Sequence, residues 1–128
     1  MTLRVVRLGS AREEDEGLRL GTVRRPPRGV RKEDLARRDF YDVWVPELSP
    51  SQELVSAALR AETEAEWARF VRGYRKEMAT PAARHLIELL AVLSRQTNLA
   101  VGCYCEDENR CHRSILAQLL RHAGADIA

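Results

Sequence analysis

Residues 103–113 hold three cysteines, a histidine and two arginines: Cys103, Cys105, Arg110, Cys111, His112 and Arg113. Cys103 and Cys105 are two apart, so an extended chain points both to one face and Tyr104 to the other. Cys111 stands where an apolar helix begins, with Asn109 as its cap. A thiol at a helix N-terminus feels the positive end of the dipole, and Arg110, His112 and Arg113 add to it. Both effects favour the thiolate, the nucleophilic form of cysteine. Glu106, Asp107 and Glu108 lie in the same loop and oppose them. The chemistry these residues offer is therefore nucleophilic. Cys111 is the first candidate, Cys105 the second if Cys111 faces inward, and His112 the proton carrier. The opposing reading makes all three cysteines small packed hydrophobes.

The same residues could be read as soft metal ligands, but Cys-x-Cys-x5-Cys-His is a poor zinc spacing. Structural zinc takes cysteine pairs two to four residues apart, with a second knuckle elsewhere. Adjacent Cys111 and His112 rarely aim at one point. The sequence therefore predicts no metal, and it points to no cofactor.

Anion binding is the third chemistry on offer. Free N–H groups at the start of the last helix, with Arg113, suit phosphate or carboxylate. A second group of arginines, Arg24, Arg25 and Arg28, surrounds a Pro-Pro step and ends at Gly29, where the backbone can turn sharply. Arg25, Arg28, Gly29 and Arg113 are the candidate anion-binding residues. A small anionic ligand is the expected partner.

These residues need a frame. Residues 99–105 form an apolar run of strand length, a polar loop follows, and Ile115, Leu116, Leu119 and Leu120 recur at helical spacing before Gly124. The strand is apolar nearly throughout, as a central strand covered on both faces should be. Ligands gather where such a strand turns into its helix. Upstream, 3–8 reads as a strand and 9–17 as a charged loop. Residues 18–24 read as a second strand with Leu18 and Leu20 on one face. A short helix over 30–38 and a third strand over 40–45, halted at Pro46, come next. Ser49 before Pro50, with Gln52 three residues on, predicts a capped helix. Thr63 with Glu66 predicts another, carrying Trp67, Phe70, Val71, Tyr74 and Met78 on one stripe. Thr80-Pro81 opens a third, with Leu86, Leu89, Leu90 and Leu93 inward and Asn98 closing it in a left-handed turn. His85 and His122 read as surface residues, and Trp44 and Trp67 as core.

The chain of 128 residues is 45% hydrophobic and 31% charged, which suits one folded domain over 1–128 rather than disorder. The expected class is α/β: a small three-layer domain whose sheet is mostly parallel or mixed and flanked by helices. No apolar run approaches a membrane span of about 20 residues, so no membrane partner is expected. Clustered cysteines in odd number predict reduced thiols and a cytoplasmic protein. The net charge of +2 is too small to imply nucleic acid. Its distribution says more, because residues 24–38 carry seven basic and two acidic side chains, nearly all the basic ones arginine. A non-catalytic module that binds nucleotide or nucleic acid through its arginines is therefore the rival to a cysteine enzyme.

Gly102-Cys-Tyr-Cys105, then Cys111-His112-Arg113 and an apolar helix, resembles proteins of the domain of unknown function 488 family. The rest resembles that family's short, YeaO-like branch. Its Trp-Pro-Arg-Gly turn is matched by Arg25-Pro-Pro-Arg28-Gly29, which has two prolines and no tryptophan. A tryptophan segment leading to a Pro-Ser helix start is matched by Trp44 and Pro50-Ser51. Its aromatic helix is matched by Trp67, Phe70 and Tyr74. The resemblance covers nearly the whole chain and implies an α/β domain; it implies no reaction.

Overall fold

In the computed structural model, which describes residues 1–105 and 111–128, four strands make one parallel sheet in the order β1-β4-β2-β3. They are β1 (Leu3–Arg7), β2 (Leu18–Gly21), β3 (Val43–Trp44) and β4 (Leu99–Cys103). The all-apolar β4 is buried along its whole length, between β1 and β2. Its register sets Leu99 opposite Leu3 and Val101 opposite Val5 and Leu20.

All four helices cover the face that carries Leu3, Leu20, Leu99 and Val101. These are α1 (Gln52–Arg60), α2 (Glu64–Met78), α3 (Pro81–Leu93) and α4 (His112–His122). Phe70, Tyr74 and Met78 of α2 and Ile115, Leu116 and Leu120 of α4 meet in that core. The third layer is thin and irregular. Opposite the helices the sheet presents Arg19, Gly21, Ala100 and Gly102 by strand alternation. Tyr41 lies so close to Gly21 that a β-carbon there would run into its ring. Arg19, fully buried, donates to both carboxylate oxygens of Glu16 at 2.8 Å and to the carbonyls of Ser10 and Asp39. One ion pair thus ties the 9–17 loop, β2 and the 32–41 segment together.

Local signals place α2 and α3 well. The Thr63 hydroxyl accepts from Glu66 N, and Pro81 opens α3 after Thr80. Gly124 closes α4 with φ of 100°. Several expectations are corrected. The 30–38 helix is only a 3₁₀ turn, Lys32–Asp34, and the 40–45 strand shrinks to β3, because Tyr41 turns onto Gly21 instead of joining a ladder. The second strand stops at Gly21, three residues before Arg24. Ser51, not Ser49, caps α1; its hydroxyl accepts from Leu54 N, while Ser49 bonds to Pro50 O. In α3 Leu90 is buried and Leu86 and Leu93 pack against the core, as expected, but Leu89 faces out and Ala83, Ile87 and Ala91 complete the inward stripe. Leu18 and Trp44 are exposed at the β3 side of the sheet. Asn98 makes no left-handed turn; its Oδ1 accepts from Thr2 N at 3.0 Å and fixes the start of β1 beside β4.

Candidate active site

The segments that leave the carboxyl ends of β2 and β4 turn outward side by side and enclose a cavity of about 590 Å³. One wall is the 23–28 segment, with Val23, Arg24, Arg25 and Arg28. A second is Ser49, Pro50, Gln52 and Val55 at the start of α1. The floor is Cys103, Tyr104, Cys105 and His112. Several tethers hold the arginine wall, among them Trp44 Nε1 donating to Val23 O at 2.7 Å and Arg25 Nε to Gln52 Oε1 at 3.4 Å. Tyr104 Oη donates to Arg25 O at 2.9 Å. The Arg24 guanidinium donates to Pro50 O and Ser49 O, which clamps the turn to the head of α1. Arg25 and Arg28 are left exposed at the rim.

The strand ends at Cys103, and this decides the fate of each thiol. Cys103 stays buried, whereas the chain bends at Tyr104 and leaves Cys105 exposed in the cavity. Cys111 is not a cavity residue. It is the N-cap of α4 and is buried with its sulfur 2.6 Å from that of Cys103. The proposed cap Asn109 and the acidic residues Glu106, Asp107 and Glu108 lie outside the described residues.

The three sulfurs share their protons unequally. Cys103 and then Cys111 donate to Cys105, which pulls the Cys105 thiol well below its ordinary value against the cost of its partial burial; the Arg113 charge helps. The donors are raised in turn. Bonding to Cys105 and Cys111, followed by burial, pushes Cys103 far up. Cys111 is lowered by its contact with Cys103, but Cys105 and burial outweigh this and it rises to about 11. The negative charge is therefore favoured on the one exposed sulfur.

His112 is nearly fully buried under this cluster. Its Nε2 lies 2.7 Å from Thr22 O and 3.2 Å from Thr22 Oγ1, and its Nδ1 lies 3.6 Å from Cys111 Sγ. Burial, only partly offset by the bond to Thr22, lowers its pKa to about 4, so the ring is neutral near pH 7. Arg113 is also buried and does not line the cavity. Its Nη2 donates to Cys105 O at 2.8 Å, and its Nε has no partner among the described residues. Gly29 turns with φ of 74° beyond the cavity, with nothing within 4 Å of a notional β-carbon.

Of the residues singled out by sequence, Cys105, His112, Arg25 and Arg28 thus meet at one cavity. Cys111 and Arg113 stand behind it, and Gly29 lies outside. Thr22 and Tyr104 were passed over as positioning residues, and Arg24, grouped by sequence with the anion-binding arginines, positions the turn instead. Only the places of Thr22 and Tyr104, just past the ends of β2 and β4, could have marked them. The ligand atoms of Cys103, Cys111 and His112 lie within 4.8 Å of one another. The fold brings together residues whose spacing does not suit a metal.

A parallel α/β sheet whose central strand delivers a buried-thiol cluster to a cavity at its carboxyl end defines a class of protein, not yet a reaction. The chain belongs to the DUF488 family: it matches the model of the active DUF488-N3 subclade over residues 3–124. No curated protein and no solved structure matches it.

Proposed function

We propose that the cavity is the active site of a thiol enzyme that takes a small anionic substrate. The carrying observation is that Cys105, the exposed sulfur, opens into the same cavity as Arg25 and Arg28. Cys105 is the nucleophile. Arg25 and Arg28 gather the anion with planar, always-charged forks, and Arg113 fixes the Cys105 backbone from behind. His112 receives the Cys111 proton when that thiol must react. Unpaired thiols suit a cytoplasmic setting, and the Pro-Arg-Gly turn at the rim suits the YeaO-like branch. Among the described residues no helix is long and apolar enough to cross a membrane.

The test is alkylation of the reduced protein with iodoacetate and with iodoacetamide, followed by peptide mapping. Cys105 should react first. Its preference for the anionic reagent should exceed that of the unfolded chain and fall to the unfolded value in Arg25→Ala/Arg28→Ala. Slow labelling of all three cysteines would replace the enzyme by a non-catalytic nucleotide or nucleic-acid module.

A further inference from the structure

A nucleophilic cysteine needs a base or a positive neighbour; it does not need two more thiols. Yet Cys103 lines the same cavity as Cys105, Cys111 is buried next to it, and the Cys103 and Cys111 sulfurs are 2.6 Å apart. A disulfide bond is about 2.05 Å, so pairing these two requires little movement. Their partner is the only one of the three sulfurs that is exposed. The arrangement is one entry point with a two-electron store behind it.

We propose that Cys105, Cys111 and Cys103 form a thiol relay that reduces the disulfide of an anionic low-molecular-weight thiol held in the cavity. The inference rests on Cys105 as nucleophile and adds the substrate class. The cavity argues against a simple peroxide, which needs no chamber of about 590 Å³. Arg25 and Arg28 at the rim fit carboxylates, and Val23, Val55 and the proline pair fit the carbon chain between them.

Every step is an ordinary exchange. The Cys105 thiolate attacks one sulfur of the substrate disulfide; that bond breaks, and one substrate thiolate leaves and takes a proton from solvent. Cys111 passes its proton to His112 Nδ1, 3.6 Å away, and attacks Cys105 Sγ. The Cys105–Cys111 bond forms, and the second substrate thiolate leaves with the proton from His112. Cys103 then attacks Cys111 Sγ and releases its proton to solvent. The Cys103–Cys111 bond forms and Cys105 is restored as thiolate. The substrate gains two electrons and two protons, and the protein loses two hydrogens.

Glutathione disulfide, incubated with the reduced, desalted full chain, is the probe. The expected wild-type product has lost two hydrogens by intact mass, has released both substrate thiols, maps to Cys103–Cys111, and still alkylates at Cys105. Cys111→Ser should halt with one glutathione on Cys105. Arg25→Ala/Arg28→Ala should slow glutathione disulfide roughly tenfold, the scale of one strong charge-assisted contact, but not uncharged hydroxyethyl disulfide. A wild-type protein that stops at the mixed disulfide, or keeps Cys103 and Cys111 alkylatable, overturns the relay. If Cys105 then still prefers iodoacetate, the nucleophile reading survives alone; if Cys105 takes neither reagent, both fall.

Discussion

His112 Nε2 stands 2.7 Å from the carbonyl oxygen of Thr22. A carbonyl only accepts, so Nε2 carries the ring proton and Nδ1 presents its lone pair to Cys111. The tautomer follows from a backbone atom that no side-chain substitution removes.

Burial of this ring, only partly offset by the bond, makes stability depend on pH. The folded pKa of His112 is about 4 against an ordinary 6.5. Between these values the unfolded chain binds the proton and the native chain does not. The contribution is therefore full above pH 6.5 and is lost as pH falls toward 4, up to about 3 kcal/mol. Thermal melts of wild type should fall over this window, and those of His112→Asn should fall less. Imidazole NMR should show an Nε2–H ring down to about pH 5. A ring that titrates near 6.5 would refute the assignment.

Glu16 and Arg19 give a second loss of stability toward low pH, with the balance of causes reversed. Burial would raise the Glu16 carboxyl, but the Arg19 guanidinium outweighs it and lowers the pKa below 4.5. Stability from the pair is present above pH 4.5 and lost as pH falls through the folded value. Glu16→Gln leaves a fully buried cation without its counter-charge and should cost about 3 kcal/mol. Chemical denaturation at pH 7 measures it. A change below about 0.5 kcal/mol, the ordinary scatter of a surface substitution, would show that the Ser10 and Asp39 carbonyls suffice.

Two glycines should respond differently to alanine. At Gly124 there is open space but φ is 100°, so Gly124→Ala should cost on the order of 1 kcal/mol, from backbone strain alone. At Gly21 a β-carbon would stand 2.8 Å from Tyr41 Cγ. Gly21→Ala must displace that ring and should cost more, about 1–3 kcal/mol. Equal melting temperatures for the two variants would contradict this packing.

Zinc should not copurify in stoichiometric amount. Two thiolates on a tetrahedral zinc, each about 2.3 Å from the metal, are about 3.8 Å apart. Cys103 and Cys111 hold their sulfurs at 2.6 Å, and a metal would have to force them open inside a packed core. Elemental analysis that finds one zinc per chain, lost in Cys111→Ala, would reverse this.

The sequence reading did best where the cause is local. Thr63, Thr80 and the apolar run of β4 each act within a few residues, and their elements lie where those signals put them. The 30–45 region was misread because its shape is set from afar: Tyr41 turns onto Gly21, and Arg19 takes the Asp39 carbonyl. The site was half legible. Residue types identified the thiols and arginines. Which sulfur would face the cavity depends on where β4 ends, and that follows from its pairing with Arg7 of β1, nearly a hundred residues earlier.

The strand order has a consequence for synthesis. β1 and β2 share no ladder; each is hydrogen-bonded to β4, which arrives last. On a ribosome β1 must wait unpaired, and β2 with only the short β3 beside it, until residue 103 has emerged, and such long-range closure is slow. The thiols are then the last groups enclosed. A nascent chain stalled before β4 would expose two apolar strand edges, and it should depend on chaperones more than its small size suggests.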